Sequence, residues 1–151
     1  MHLILWRHAE AVEGMPDIER ELTRKGHKQA AKMSAWLNQQ LPAHVRVIAS
    51  PAQRTIQTAS ALTDKFDIVD SIAPGASSKA VLDASGWPDS RRAVVVVGHQ
   101  PTLGEVAALL LAGIKQPWSI KKGAVWWLTH RLRDARAQIV LRAVMAPDML
   151  D

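Results

Sequence analysis

The chain contains no cysteine, so disulfide staples, thiolate metal sites and a cysteine nucleophile are all excluded. Its first residues, MHLILWRHAE, lack the basic segment, apolar core and small-residue cleavage site of a secretory leader. No apolar run approaches the roughly 20 residues a spanning helix needs. Internal repeats, low-complexity tracts and flexible linkers are missing too. These absences, with 151 residues of which 48% are apolar, lead us to expect one soluble, cytoplasmic domain over residues 1–151, with no membrane partner. Nineteen Lys and Arg against fourteen Asp and Glu leave a net charge of +5, which favours anionic partners. The basic residues (Arg20, Arg24, Lys25, Lys28, Lys32, then Lys121, Lys122, Arg131, Arg133, Arg136) are scattered along the chain without interleaved aromatics. A solvated basic surface is expected of most of them, and nucleic acid is not an expected partner.

What is present alternates. HLILW reads as a short apolar strand, and LTRKGHKQAAKMSAWLNQQL carries Ala30, Met33, Leu37 and Leu41 at helical spacing. HVRVIAS is a second strand, after which Pro51 opens a helix lined by Ile56, Ala59 and Leu62. FDIVDSI is a third strand, ended by Pro74-Gly75, and SSKAVLDASG is a brief helix with Gly86 near its end. RAVVVVGH has the unbroken apolar run of a strand buried on both faces. PTLGEVAALLLAG follows as a helix from Pro101 to Gly113, and AVWWLTH and AQIVLRAVMA, joined by the polar RLRDAR, form a closing antiparallel hairpin. The pattern predicts a three-layer α/β/α sandwich on a mostly parallel sheet with an antiparallel edge.

Ligands in such sheets collect beyond the carboxyl ends of the strands. Three polar signals fall at such ends: Arg7-His8 after the first strand, Ser50-Pro51 with Arg54 after the second, and Gly98-His99 after the valine run. A single strand-terminal histidine is most often structural, but three such signals in one short chain define a candidate site. Two guanidinium forks and two imidazoles make a pocket for a dianion, and phosphoryl chemistry is the natural inference. With cysteine excluded and no acidic metal cluster evident, a neutral imidazole is available to attack phosphorus. Zinc at His8 and His99 is disfavoured, because the arginines repel a cation and no further ligand has suitable spacing. His2, His27, His44 and His130 lie outside these signals and are read as structural. Trp126 and Trp127 must point to opposite faces of their strand, so at most one is expected in the core.

The segments RHAEA, DIERELTRKGHKQA, SPAQRTIQTA and VVGHQPTLGE resemble, in order and spacing, the histidine phosphatase superfamily and its small SixA-type phosphohistidine phosphatase branch. The likeness runs from Leu3 to about Glu105, and implies a phosphoglycerate-mutase-like fold. It further implies that His8 is the nucleophile, phosphorylated and then hydrolysed, while Arg7, Arg54 and His99 hold the phosphoryl oxygens. Arg20, before the Leu-Thr pair, matches a position that reaches the substrate or the pocket rim, although pairing with Glu19 or Glu21 would explain it as well. No metal and no cofactor are called for.

Two departures from the family pattern are informative. Ala9 stands where Gly is common after the Arg-His pair, a change of one methyl. Ser71 stands where many members carry a carboxylic acid, three residues before Pro74. An alkoxide leaving group needs such an acid, whereas imidazole, with a conjugate-acid pKa of ~6.5, leaves without one once its other nitrogen is protonated. The Ser71 position therefore favours phosphohistidine over phosphoesters, subject to Asp70, Asp83, Glu10 or Glu105 taking the role. The short Ser71 to Arg92 connection provides no capping insertion, and an open site suits a phosphorylated protein such as a phosphotransfer domain or phosphocarrier. Two other readings are carried forward, a small-molecule or phosphoester phosphatase and a catalytically weak phosphoprotein-binding module.

Overall fold

The computed structural model describes residues 1–151. Its sheet starts with β1 (His2–Arg7), whose Leu3 to Trp6 are fully buried. Helix α1 (Arg24–Gln40) follows, started by Thr23, whose hydroxyl oxygen accepts the Gly26 N–H at 2.9 Å. Then come β2 (Arg46–Ala49), α2 (Gln53–Leu62), β3 (Asp67–Ile68), α3 (Ser78–Ser85) and β4 (Val94–Gly98). Helix α4 (Thr102–Ala112) stops at Gly113, which adopts the left-handed conformation at φ 72°, and β5 (Val125–Arg133) and β6 (Arg136–Met145) close the chain.

The six strands form one sheet in the order β3-β2-β4-β1-β5-β6. The first four pair in parallel, and β5 and β6 run antiparallel to their neighbours at one edge. Alternation along β1 and β4 assigns side chains to two cores. Leu3, Leu5, Val94 and Val96 face α3 and α4, with Val81, Leu103 and Val106. Ile4, Trp6, Val95 and Val97 face α1 and α2, with Met33, Leu37 and Ala59. The valines Val94 to Val97 are wholly inaccessible, and each burial contributes on the order of 1.5–3 kcal/mol before chain entropy is counted. No helix is long and apolar enough to cross a membrane.

The departures from the sequence reading are local. The third strand is only Asp67–Ile68, because Asp70–Ile72 turns into a 3-10 helix that buries Ile72 against the α3/α4 core. Pro51 precedes α2 by two residues instead of starting it, and Pro101 is the cap of α4. RLRDAR is mostly strand: the turn is only Asp134-Ala135, both at positive φ (51° and 61°), as a tight two-residue hairpin demands. Trp126 and Trp127 do point to opposite faces, but both faces are covered. Trp127 is buried with Trp6, and Trp126 is half-buried beside Trp118, 6.2 Å between ring centres.

Candidate active site

Because β2, β4 and β1 lie side by side in parallel, their carboxyl ends share one rim. Arg7 ends β1 opposite Gly98, the His8 N–H donates to the Gly98 carbonyl at 3.1 Å, and the Ser50 N–H donates to the Val97 carbonyl at 3.1 Å. His8, Ser50 and His99 therefore leave three adjacent strands together, and the first turn of α2 delivers Arg54 to the same place. The His8 and His99 ring centres are 5.4 Å apart. His8, Arg54, His99 and Ser50 are all buried, and Arg7 is half-buried.

Hydrogen bonds define the protonation of each ring. His8 Nδ1 lies 2.7 Å from the Ala9 carbonyl oxygen, which can only accept, so Nδ1 carries the proton and Nε2 presents a lone pair. The loop making this contact is tightly held. The Ala9 N–H donates to Thr58 Oγ1 at 3.1 Å, and the Ala9 methyl packs with Leu22 and Ala30, so the alanine fits. Gly26 is required there: a Cβ on it would lie 2.0 Å from the Glu10 carbonyl oxygen. His99 Nδ1 faces Arg54 Nη2 at 3.4 Å, and its Nε2 lies 2.7 Å from Ser50 Oγ. A guanidinium only donates, so Nδ1 is the acceptor and Nε2–H donates to Ser50, whose oxygen also accepts the Ala52 N–H at 3.2 Å.

Burial and the surrounding cations keep both rings neutral. Burial lowers the His8 pKa to about 4, Arg54, Arg7 and Arg20 add to the effect, and the Ala9 carbonyl opposes it. His99 is lowered to about 3, again by burial first, then by His8 and Arg54, with Asp17 acting in the opposite sense. Arg7 Nη1 donates to the Ile120 carbonyl at 2.8 Å. Arg7 Nε and Arg54 Nε are the two buried side-chain polar atoms in the molecule without a protein partner. A buried donor left unpaired costs on the order of 1–3 kcal/mol, and both instances fall in one site. Two cationic N–H donors beside an imidazole lone pair suit an anionic, oxygen-rich ligand. No group of three or more His, Asp or Glu side chains is arranged to hold a metal ion.

Arg20 reaches this site through a residue that sequence reasoning missed. Asp17 Oδ1 accepts from Arg20 Nη1 at 2.9 Å, and its Oδ2 pairs with Arg54 Nη2 at 3.1 Å. The Asp17 backbone carbonyl accepts from Arg54 Nη1 at 2.9 Å, and Arg20 Nε donates to the Val12 carbonyl at 2.6 Å. Arg20 thus pairs with Asp17 and not with Glu19 or Glu21. The Arg20 hydrogen bond, then Arg54, hold the Asp17 carboxyl below its ordinary range, although partial burial opposes them. Asp17 is the one carboxylate hydrogen-bonded to Arg7, His8, Arg54 or His99. Of the other carboxylates considered, Glu10 accepts from the Thr23 hydroxyl, Asp83 pairs with Lys79, Glu105 pairs with Lys115, and Asp70 is exposed. The only local clue to Asp17 was its i, i+3 spacing from Arg20, in a loop where Glu13, Glu19 and Glu21 look equally eligible.

The sequence and the fold both have known relatives. Residues 3–75 match the family model of the histidine phosphatase superfamily (branch 1). A phosphohistidine phosphatase SixA homolog from Haemophilus influenzae is 32% identical over 126 residues, covering 73% of this chain and 77% of that protein. The SixA structure from Nakamurella multipartitia is 27% identical, covers 97% of this chain and 95% of its own, and superposes with a TM-score of 0.77. A protein histidine phosphatase SixA complexed with tungstate shares the fold at a TM-score of 0.78, with 23% identity over 99% of both chains. This chain belongs to the histidine phosphatase superfamily, in its SixA-type group.

Proposed function

We propose that this protein hydrolyses phosphohistidine on another protein, by way of a phosphoryl group carried transiently on Nε2 of His8. The observation that carries the reading is a neutral His8, its Nδ1 proton held by Ala9, in the field of Arg54 and Arg7, each of which keeps a buried N–H without a protein partner. In the first step Nε2 of His8 attacks phosphorus while the bond from phosphorus to the substrate imidazole breaks. If the other nitrogen of that imidazole carries a proton, the ring leaves neutral and needs no enzyme acid. Arg7 and Arg54 neutralise the transferring group, whereas His99, expected from the family resemblance to hold a phosphoryl oxygen itself, has its Nε2–H on Ser50 and its Nδ1 on Arg54 and so acts through Arg54.

The second step mirrors the first. Water attacks the phosphorus, the bond to Nε2 breaks, and His8 leaves as a neutral imidazole because Nδ1 already holds its proton against the Ala9 carbonyl. The water's proton passes to the phosphate or to solvent. Arg20 holds Asp17 at the rim, and the Asp17–Arg20 pair borders the incoming substrate. No step needs a metal or a cofactor.

The choice of phosphohistidine over phosphoesters rests on the missing acid. Ser71 is exposed in the turn after β3, and Asp17, the carboxylate touching Arg54, is held ionised and so is a poor proton donor. The β3 to β4 connection holds only the 3-10 turn Asp70–Ile72 and α3, so it brings no capping insertion over the rim, and the segment that does border the rim, between β1 and α1, is drawn back onto Arg54 and Arg20 through Asp17. The names of the H. influenzae relative and the tungstate-bound SixA support the same reading, tungstate being a phosphate-like oxyanion. A phosphoester phosphatase is the second reading, favoured if a carboxylate moves into the site on binding.

The deciding experiment measures kcat/KM on a phosphorylated histidine phosphotransfer domain beside a panel of phosphoesters, with and without chelator. We expect at least about 100-fold preference for phosphohistidine, a modest share of what leaving-group activation by a general acid contributes, and no effect of chelator. Alkaline-quenched intact mass should show one added phosphoryl group on the wild type and none on His8→Ala. Faster phosphoester turnover would transfer the protein to the second reading. Tight phosphoprotein binding without turnover would make it a binding module.

A further inference from the structure

The basic residues that look scattered in the sequence are gathered by the fold next to the His8 loop. Helix α1 carries Arg24, Lys25, Lys28 and Lys32 and no carboxylate. Lys25, Lys28 and Lys32 recur on one exposed face and, with Gln29, Pro147 and Asp148, border a depression of about 240 Å³. Lys121 enters the same region, its Nζ 2.6 Å from Asp148 Oδ2, and exposed Lys122 follows it. This band adjoins the catalytic loop through two contacts. The Gly123 N–H donates to the His8 carbonyl at 3.0 Å, and Gln29 Oε1 accepts the Glu10 N–H at 3.0 Å. Gly123, Gln29 and Pro147 meet: a Cβ on Gly123 would sit 2.9 Å from Pro147 Cγ and 3.6 Å from Gln29 Cβ.

Folding does not account for these charges. Cations in the first turns of a helix oppose its macrodipole, so Arg24, Lys25 and Lys28 stand at the wrong end of α1 for stability. Their one acidic neighbour is already engaged. Asp148 is held below the ordinary carboxylate range by its hydrogen bond to Lys121, with Lys25 adding to the effect. Lys25, Lys28, Lys32 and Lys122 make no ion pair, and of these only Lys32 has a partner, donating from its exposed Nζ to the Leu150 carbonyl at 3.3 Å.

We propose that Lys25, Lys28, Lys32, Lys121 and Lys122 form a docking surface for an acidic face of the phosphohistidine-bearing protein, placing its phosphorylated side chain over His8. This rests on the phosphoprotein reading above and deepens it. A band of one sign beside an open site raises encounter rates with a complementary partner, and the gain falls with ionic strength.

The test compares two substrates of the same chemistry, a phosphorylated histidine phosphotransfer domain with an acidic surface and phosphoimidazole. The variant is Lys25→Glu, Lys28→Glu, Lys32→Glu, and Lys65→Glu, between α2 and β3 beside His44 and Arg92 at the amino end of the parallel strands, serves as the charge control. Glutamates in the first turns suit the helix dipole, so α1 should remain folded, which a melting curve checks. We expect kcat/KM on the phosphoprotein to drop about 10-fold or more at low salt, through KM, and to lose most of its salt dependence. Turnover of phosphoimidazole should not change. Equal losses on both substrates, no loss on either, or the same loss in Lys65→Glu would each overturn the docking surface while leaving the function reading in place. A wild type that hydrolyses phosphoimidazole but not the phosphoprotein would overturn both.

Discussion

At the amino end of the parallel strands, Arg92 sends Nε to the His44 carbonyl at 2.8 Å and Nη2 to the Val45 carbonyl at 3.1 Å, beside a depression of about 380 Å³. At the carboxyl end, Arg7 and Arg54 each keep a buried Nε with no protein partner, beside two histidines held neutral. Both rims bring arginine and histidine together, and the amino-end rim has the roomier hollow. They differ in where the donors point. Arg92 is exposed and ties the chain entering β2 to the chain entering β4, so its guanidinium is occupied by the fold. Arg54 is desolvated with a donor unmatched, a state that folding alone does not favour. Unmatched buried donors, and not the volume of a hollow, single out the carboxyl end as the candidate site.

The sharpest break in this comparison removes His8, the nucleophile of the proposed mechanism. His8→Ala should lower phosphohistidine turnover by at least about 10⁴-fold, as loss of a covalent catalyst does elsewhere, and stopped assays of phosphate release would show it. Near-normal turnover would end the covalent mechanism. Matched arginine substitutions come next. Arg54→Ala should lower kcat by about 10²–10³-fold, the range for lost transition-state donors. Arg92→Ala should leave kcat/KM alone and lower stability by about 1–2 kcal/mol in a urea titration, for its two lost hydrogen bonds. If the two exchanged effects, the assignment of the ends would be reversed.

Much of the carboxyl-end rim was legible because its determinants are local. A run of four valines can only be a strand buried on both faces, so His99 had to emerge at its end, and HLILW placed Arg7-His8 in the same way. Ser50 and Arg54 bracket the step from β2 to α2, so one strand-helix junction announced both. What escaped was set by contacts distant in sequence. Asp17 pairs locally with Arg20, but what brings it into the site is Arg54, thirty-seven positions later, a partner that no spacing rule reveals. The lysines of α1 and of the 121–122 loop become neighbours only when Pro147 packs against Gly123. Trp126 was harder to judge because alternation tells which face a side chain takes, not whether that face is covered.

A smaller effect separates the ends by pH. His8 and His99 have ordinary values of 6.5 lowered to about 4 and about 3 in the folded protein. Between those values and 6.5 the unfolded chain binds more protons than the folded one, so stability is fully present above about 6.5 and is lost as the pH falls. The steepest loss is about 1.4 kcal/mol per pH unit for each such histidine. Urea titrations from pH 7 to 4.5 should show the decline in the wild type, a shallower one in His8→Gln and in His99→Gln, and the full decline in His44→Gln at the other rim. An equal decline in all three variants would assign the acid sensitivity to other groups.

The smallest expected effect concerns Asp17, because it is half exposed at the rim, where an ion pair contributes only about 0.2–1 kcal/mol. Its carboxylate occupies Arg54 Nη2, a donor that a phosphoryl oxygen would also use, so it competes with the ligand as well as holding the arginine in line. In Asp17→Asn the backbone carbonyl still accepts from Arg54 Nη1, so the arginine keeps one anchor while the competing charge is gone. Inhibition by tungstate or inorganic phosphate should therefore tighten by about 1.4- to fivefold, the same 0.2–1 kcal/mol read as affinity, with kcat changed less than inhibition is. Weaker inhibition in Asp17→Asn, with a matching loss of kcat, would show that aligning Arg54 matters more than the competition, and Asp17 would then be a positioning residue of the catalytic rim.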